Sequence, residues 1–127
     1  MQPEQYREGV ATVLCSLYDE GVASIVRHVV KDILGYNVIA RCSAEESIPF
    51  VKESHLVISD VTNGCYALYE NLQANNPQAK MLVLDGGLLE TKKVPNAVVL
   101  SKPFRVLDLA ELVNKHIPEH LKPAKQQ

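Results

Sequence analysis

The sequence has no surplus of positive charge. Thirteen Lys and Arg stand against fifteen Asp and Glu, a formal net charge of −2 over 127 residues. An electrostatic grip on nucleic acid needs a basic face, so the composition argues against nucleic acid as a partner of this domain. Cysteine is scarce and unpatterned. Cys15, Cys42 and Cys65 form no CxxC pair and are odd in number, which excludes metal-site spacing and speaks against a disulfide framework. Apolar runs are short, none approaching the ~18 residues needed to cross a bilayer. The opening MQPEQYREGV has no basic-then-apolar signal pattern. The expectation is a cytoplasmic protein with reduced thiols and no membrane partner. Neither a P-loop nor a dinucleotide fingerprint occurs, and Gly86-Gly87 reads as a turn too short to cradle phosphate.

What is present is an ordinary globular composition, 46% hydrophobic and 22% charged. That fits a single domain with a real core and excludes disorder, collagen-like repeats and a coiled coil. Polar residues 1–9 read as a lead-in. Val10–Leu17 is a continuous apolar run rich in strand formers, as expected of a strand buried on both faces. Val22, Ile25, Val26, Val29, Val30, Ile33 and Leu34 then recur at helical spacing, with Gly35 placed to terminate the helix. Tyr36–Ala40 reads as a second strand. Ser43, with Glu46 three residues on, reads as a capping box opening a helix to about Glu53, whose regularity Pro49 limits. His55–Ser59, Lys80–Leu84 and Ala97–Leu100 read as three further strands, and Tyr66–Gln73 as a helix after the Asn63-Gly64 turn. A last amphipathic helix carries Leu107, Leu109, Ala110, Leu112, Val113 and Ile117. Residues 118–127 read as a tail or linker, so the domain spans 10–117.

Strands alternating with helices predict an α/β, doubly wound, five-stranded parallel sheet of flavodoxin-like type. In such sheets the functional crevice lies outside the carboxyl ends of the strands. The strand-end residues are Asp19 and Glu20, Asp60, Asp85 and Lys102, so four acids and one lysine are expected at one rim. Clustered carboxylates are resolved by a hard cation or by raised pKa values, and Mg²⁺ suits an oxygen-only donor set. A carboxylate can also act as a nucleophile, forming an aspartyl phosphate. The plainer reading of any one of these residues is a helix cap or a solvated loop.

Val99-Leu-Ser-Lys-Pro-Phe104, Leu56-Val-Ile-Ser-Asp60, Leu14-Cys-Ser-Leu-Tyr-Asp-Glu20 and Gly35-Tyr36-Asn37-Val38 carry a resemblance. Over about Val10–Ile117 their order and spacing resemble the receiver domain of two-component response regulators. The resemblance implies that Asp60 is the phosphoacceptor and that Lys102 binds the phosphoryl group. It implies Asp19 as a Mg²⁺ ligand, with the backbone carbonyl of Thr62 as a further one and Glu20 as the acid that often follows the pair. It implies a phosphorelay partner, a histidine kinase or phosphotransfer protein, and self-phosphorylation chemistry rather than a dedicated enzyme.

The chain departs from the family pattern in ways that form an atypical receiver. Tyr18 replaces the first member of the acidic pair, which weakens the Mg²⁺ site. Asp85 occupies the switch Thr/Ser position, and Leu100 the switch aromatic position. Sixteen residues (Gly86–Ser101) separate Asp85 from Lys102, fewer than usual, so the fourth helix is expected to be shortened or missing. The loop after Asp60 is clipped as well. Two like charges about 4 Å apart cost on the order of 4 kcal/mol at an effective dielectric near 20, so Asp85 either opposes phosphorylation or reaches Lys102 and holds a fixed state. The alternative function is therefore a pseudo-receiver, the same fold used as a phosphorylation-independent interaction module. A faint resemblance of Cys15–Ser24 to the phosphotransferase-system IIB cysteine loop conflicts with the apolar, acid-flanked setting of Cys15, which disfavours a thiolate. His116 and His120 are interrupted by Pro118 and make a poor zinc pair. A trimmed fourth helix would expose strand five with Leu107, Leu109 and Leu112, a surface for a protein partner or self-association.

Overall fold

A computed structural model describes residues 6–61 and 64–124. Five strands, β1 (Thr12–Ser16), β2 (Asn37–Arg41), β3 (Leu56–Asp60), β4 (Lys80–Asp85) and β5 (Val98–Ser101), form one all-parallel sheet in the order β2-β1-β3-β4-β5. The order reverses between β1 and β3, which opens the crevice expected at a topological switch point. Register puts Ser16 opposite Ser59, Asp60 opposite Leu84 and Asp85 opposite Ser101. All five residues of β1 and of β3 are buried, because helices cover both faces and neither face needs polar side chains.

The helices are α1 (Glu20–Arg27), α2 (Ala44–Ser47), α3 (Cys65–Asn75) and α4 (Val106–Lys115). On one face α1, the helical segment that continues it over His28–Ile33, and α4 pack through Val26, Val29, Val30, Leu109 and Val113 onto Val13, Cys15, Ile58 and Leu82. On the other, α2 and α3 pack through Ala44, Leu68, Tyr69 and Leu72 onto Leu14, Val57, Met81 and Val83. Each of these larger side chains contributes roughly 1.5–3 kcal/mol by leaving water, which makes the two layers the main stabilising feature.

Several local features differ from the sequence pattern. The first helix changes from α to a π-helical segment over His28–Ile33, where the Leu34 N–H bonds to the Val29 carbonyl at 2.9 Å. The wider turn rotates Ile33 off the buried stripe, and Ile25 and Ile33 are exposed while Val26, Val29 and Val30 are fully buried. Gly35 ends the segment at φ 84°, the left-handed conformation that suits glycine. Ser43 caps α2 by accepting from the Glu46 N–H at 3.1 Å, whereas the Glu46 carboxylate accepts from the Cys42 thiol. A 3₁₀ segment over Ile48–Glu53 follows, with Pro49 at its start. Between β4 and β5 there is only a 3₁₀ turn, Thr91–Lys93, so the helix usual at this place is shortened to a single turn, as the residue count implied.

The segment read as a tail packs back on the domain. Leu121 closes a 3₁₀ turn (Glu119–Leu121), and its carbonyl accepts from the Ala11 N–H at 2.9 Å. Arg7 is tied similarly, its guanidinium donating to the Gly35 carbonyl at 2.7 Å while buried Asn37 bonds its backbone. Leu109 is corrected from exposed to fully buried, and Leu112 packs against the core. Residues 109, 113 and 117 lie four apart and form the buried stripe, which leaves Leu107 outward.

Candidate functional site

β3 ends on Asp60, which is buried, with 4% of its surface exposed. Its Oδ2 accepts a hydrogen bond from the Tyr18 backbone N–H at 3.1 Å, across the β1–β3 crevice. That bond comes from the main chain, so it does not depend on the Tyr18 side chain, which is 75% exposed. The same bond fixes the turn that carries the next residue, Asp19, beside the end of β3. Asp19 serves as the N-cap of α1, its Oδ1 accepting from the Val22 N–H at 3.1 Å. Glu20 begins α1 and pairs with Arg27 at 2.8 Å, an exposed ion pair of little energetic weight. Thr62, whose carbonyl was expected to complete a metal site, lies outside the described residues.

The neighbouring strand end differs. Asp85 closes β4, and its Oδ1 accepts from three backbone N–H groups in the following loop: Gly87 at 2.8 Å, Leu88 at 2.9 Å and Leu89 at 3.1 Å. Partial desolvation raises the Asp85 pKa, but the three N–H donors and the nearby Lys102 charge outweigh it, so the carboxyl titrates below its ordinary value. Asp85 is thus a loop anchor. Lys102 follows β5, its N–H donating to the Asp85 carbonyl at 2.8 Å, and its peptide bond to Pro103 is cis. No ion pair links Lys102 to Asp85 among the described residues, so the carboxylate and the ammonium act on each other through space without contact.

Two tyrosines escaped the sequence reading. The Tyr66 hydroxyl accepts from the Glu90 N–H at 3.0 Å, and the Tyr69 hydroxyl from the Asn96 N–H at 3.0 Å. Together with Asp85 they hold the shortened β4–β5 connection against α3. Their partners are backbone groups, which leave no mark on residue type. Leu100, at the position expected to hold a switch aromatic, is partly buried and packs against the α1/α4 core layer. Cys15 is fully buried, and desolvation pushes its thiol up to about 12 against a smaller pull from Arg27. This removes the thiolate that a cysteine phosphoacceptor requires.

Mg²⁺ is the one metal to test against these residues. The described residues contain no group of three His, Cys, Asp or Glu side chains able to hold an ion. They do offer two carboxylates, Asp60 and Asp19, at adjoining strand ends. One or two carboxylates are what Mg²⁺ takes from a protein when waters and phosphate oxygens complete its octahedron. The donor set fits Mg²⁺ with fewer acidic groups than a full acidic pair would supply.

The architecture is that of a doubly wound, flavodoxin-like α/β protein. No protein-family model and no curated protein sequence matches the chain. Solved structures do. A response regulator receiver protein from Sinorhizobium medicae superposes with a TM-score of 0.76 at 19% identity, over 87% of this chain and 97% of that one. A CheY-like receiver domain protein from Methanospirillum hungatei gives 0.73 at 18% identity, over 84% and 92%. A response regulator from Thermotoga maritima gives 0.71 at 25% identity, over 85% and 98%. Within the flavodoxin-like class, the chain has the receiver fold of response regulators. Among the described residues no helix is long and apolar enough to cross a membrane.

Proposed function

We propose that the chain is a cytoplasmic phosphorelay receiver in which Asp60 accepts a phosphoryl group from a histidine kinase or phosphotransfer protein, with a readout that bypasses the usual hydroxyl–aromatic switch. The observation that supports this is the position of Asp60 at the topological switch point, one hydrogen bond from the turn bearing Asp19 and two strands from the end bearing Lys102. An Asp60 carboxylate oxygen attacks phosphorus, the bond from phosphorus to the donor's histidine nitrogen breaks, and the electron pair stays on that nitrogen. Mg²⁺, when bound, supplies neutralising charge for the phosphoryl oxygens. Asp19 and Asp60 would hold it, and Lys102 would face the transferred group. The module is a signalling element and not a dedicated enzyme.

Two observations favour a second reading, a pseudo-receiver acting through protein contacts alone. Tyr18 removes one acidic group from the metal site, and the Asp85 anchor ties the β4–β5 loop in one state without phosphate. Incubation with Mg²⁺ and acetyl phosphate or beryllofluoride separates the two. A mass gain abolished by Asp60→Asn supports phosphorylation, and no gain or fluoride binding at millimolar Mg²⁺ supports the pseudo-receiver.

Either reading has a place for a protein partner, or a second copy of the chain, near β5. Leu88, Val99, Val106 and Leu107 are exposed there, where a full fourth helix would have given cover. Leu107→Glu with Val99→Glu should abolish association measured by light scattering or pull-down. Unchanged association removes this surface.

A further inference from the structure

We propose that the hollow at the amino-terminal edge of the sheet, remote from Asp60, is a binding site for a small, multiply phosphorylated anion held by Lys52, Lys80 and Lys115 with His55 and His116 beside them. The hollow has a volume of about 480 Å³, within the range of roughly 300–1,000 Å³ that small-molecule sites occupy. Its lining comes from three separate stretches of the chain, 52–55, 76–80 and 115–118. Lys52 belongs to the 3₁₀ segment after α2, His55 precedes β3, Lys80 opens β4, and Lys115 and His116 close α4. Asp60 is at the other end of β3, about 15 Å away at the usual rise of an extended strand.

Three observations separate this hollow from ordinary solvated lysines. First, the charge is one-sided. Among the described residues none of the three lysines enters an ion pair, and Glu53 is the one carboxylate in the lining, although acidic groups outnumber basic ones in the chain as a whole. Second, two of the three charges, Lys80 and Lys115, act at one place. His116 titrates below its ordinary value, first because it is partly buried and then because the Lys115 and Lys80 ammoniums oppose its protonation. Lys115 and Lys52 each sit in the last turn of a helical segment, where the negative end of the backbone dipole favours a cation, but Lys80 opens a strand and has no such demand. Third, the wall is preformed. Asn76 donates from Nδ2 to the Val51 and Ser54 carbonyls at 3.0 and 2.7 Å, which ties the Lys52 segment to the end of α3. His55 accepts from the Thr12 N–H at Nδ1, at 2.9 Å, so its neutral ring carries a proton on Nε2 as a further donor. A ligand entering such a site orders the three exposed lysine side chains but little of the backbone wall.

The lining also selects the class of anion. No arginine contributes to it, so the planar fork suited to carboxylates is missing, whereas ammonium groups are point charges that donate to phosphate oxygens in many directions. Several ammoniums around one open hollow match a ligand with several phosphates.

Titration calorimetry of the full chain with inorganic tripolyphosphate tests this. Saturable binding at one site is expected, weakened at least about tenfold when Lys52→Gln, Lys80→Gln and Lys115→Gln are combined, since three interacting charges are removed. A control combining Lys31→Gln, Lys92→Gln and Lys122→Gln makes the same change in net charge at distant positions and should stay within about twofold. Asp60→Asn should leave the affinity unchanged. Absence of saturation, equal loss in both triple variants, loss with Asp60→Asn, or tighter binding of a poly-glutamate peptide or RNA than of tripolyphosphate would each overturn the proposal.

Discussion

β3 and β4 are adjacent parallel strands, and each ends in an aspartate, yet the two carboxylates do different work. Asp60 is buried and takes a backbone hydrogen bond from another element, the turn after β1. Asp85 is half-exposed and takes three from its own loop. The first arrangement couples distant parts of the chain at a crevice, where added negative charge or a cation would be felt on both sides. The second is local and self-contained, stabilising one loop shape. The same residue at the same topological position thus takes a donor from across the crevice in one case and three from its own loop in the other.

The largest effect is expected at Asp60. Asp60→Asn should eliminate the mass gain with acetyl phosphate and Mg²⁺ completely while preserving the cooperative unfolding transition. Persistent modification would move the chemistry elsewhere. Asp85→Ala should lower stability in urea by about 1–3 kcal/mol, because three N–H groups lose a charged acceptor. Asp85→Asn keeps an acceptor oxygen and removes only charge, so it isolates the pH dependence. The folded Asp85 pKa lies below the ordinary 3.8. Its stabilising contribution is therefore fully present above that ordinary value and is lost as pH falls through the lower, folded one. Acid titration of unfolding midpoints should be flatter in Asp85→Asn, and an unchanged acid limb would refute the anchor. Tyr18→Asp should restore the second acid of the pair and tighten Mg²⁺ binding about tenfold, as ligand charge commonly does, read by a metal titration with and without beryllofluoride. The smallest effect is expected for Tyr69→Phe, which takes one acceptor from the Asn96 N–H and should cost about 0.5–1.5 kcal/mol.

Much of the layout is legible in the chain. The apolar runs ending at Asp60 and before Asp85, the helix stop at Gly35 and the short spacing from Asp85 to Lys102 all express requirements of residue type: apolar faces, a left-handed turn, a minimum length for a helix. The less legible features depend on backbone groups or on packing between distant segments. The π-helical segment, the docking of Leu121 on Ala11 and the Tyr66 and Tyr69 hydrogen bonds belong to this class. Leu109 and Leu107 illustrate the difference within one helix. Both are leucine, and only the direction from which the sheet approaches makes one core and the other surface.

By itself the order of apolar and polar residues determined that this protein would be a doubly wound parallel sheet with acids and a lysine at the strand ends, because burial and chain connectivity leave few other solutions. Only the tertiary structure decided what each of those groups does. Whether a carboxylate receives its N–H donors from across a crevice or from its own loop, and whether lysines remote in sequence share one hollow, depends on distances that arise once the layers have packed.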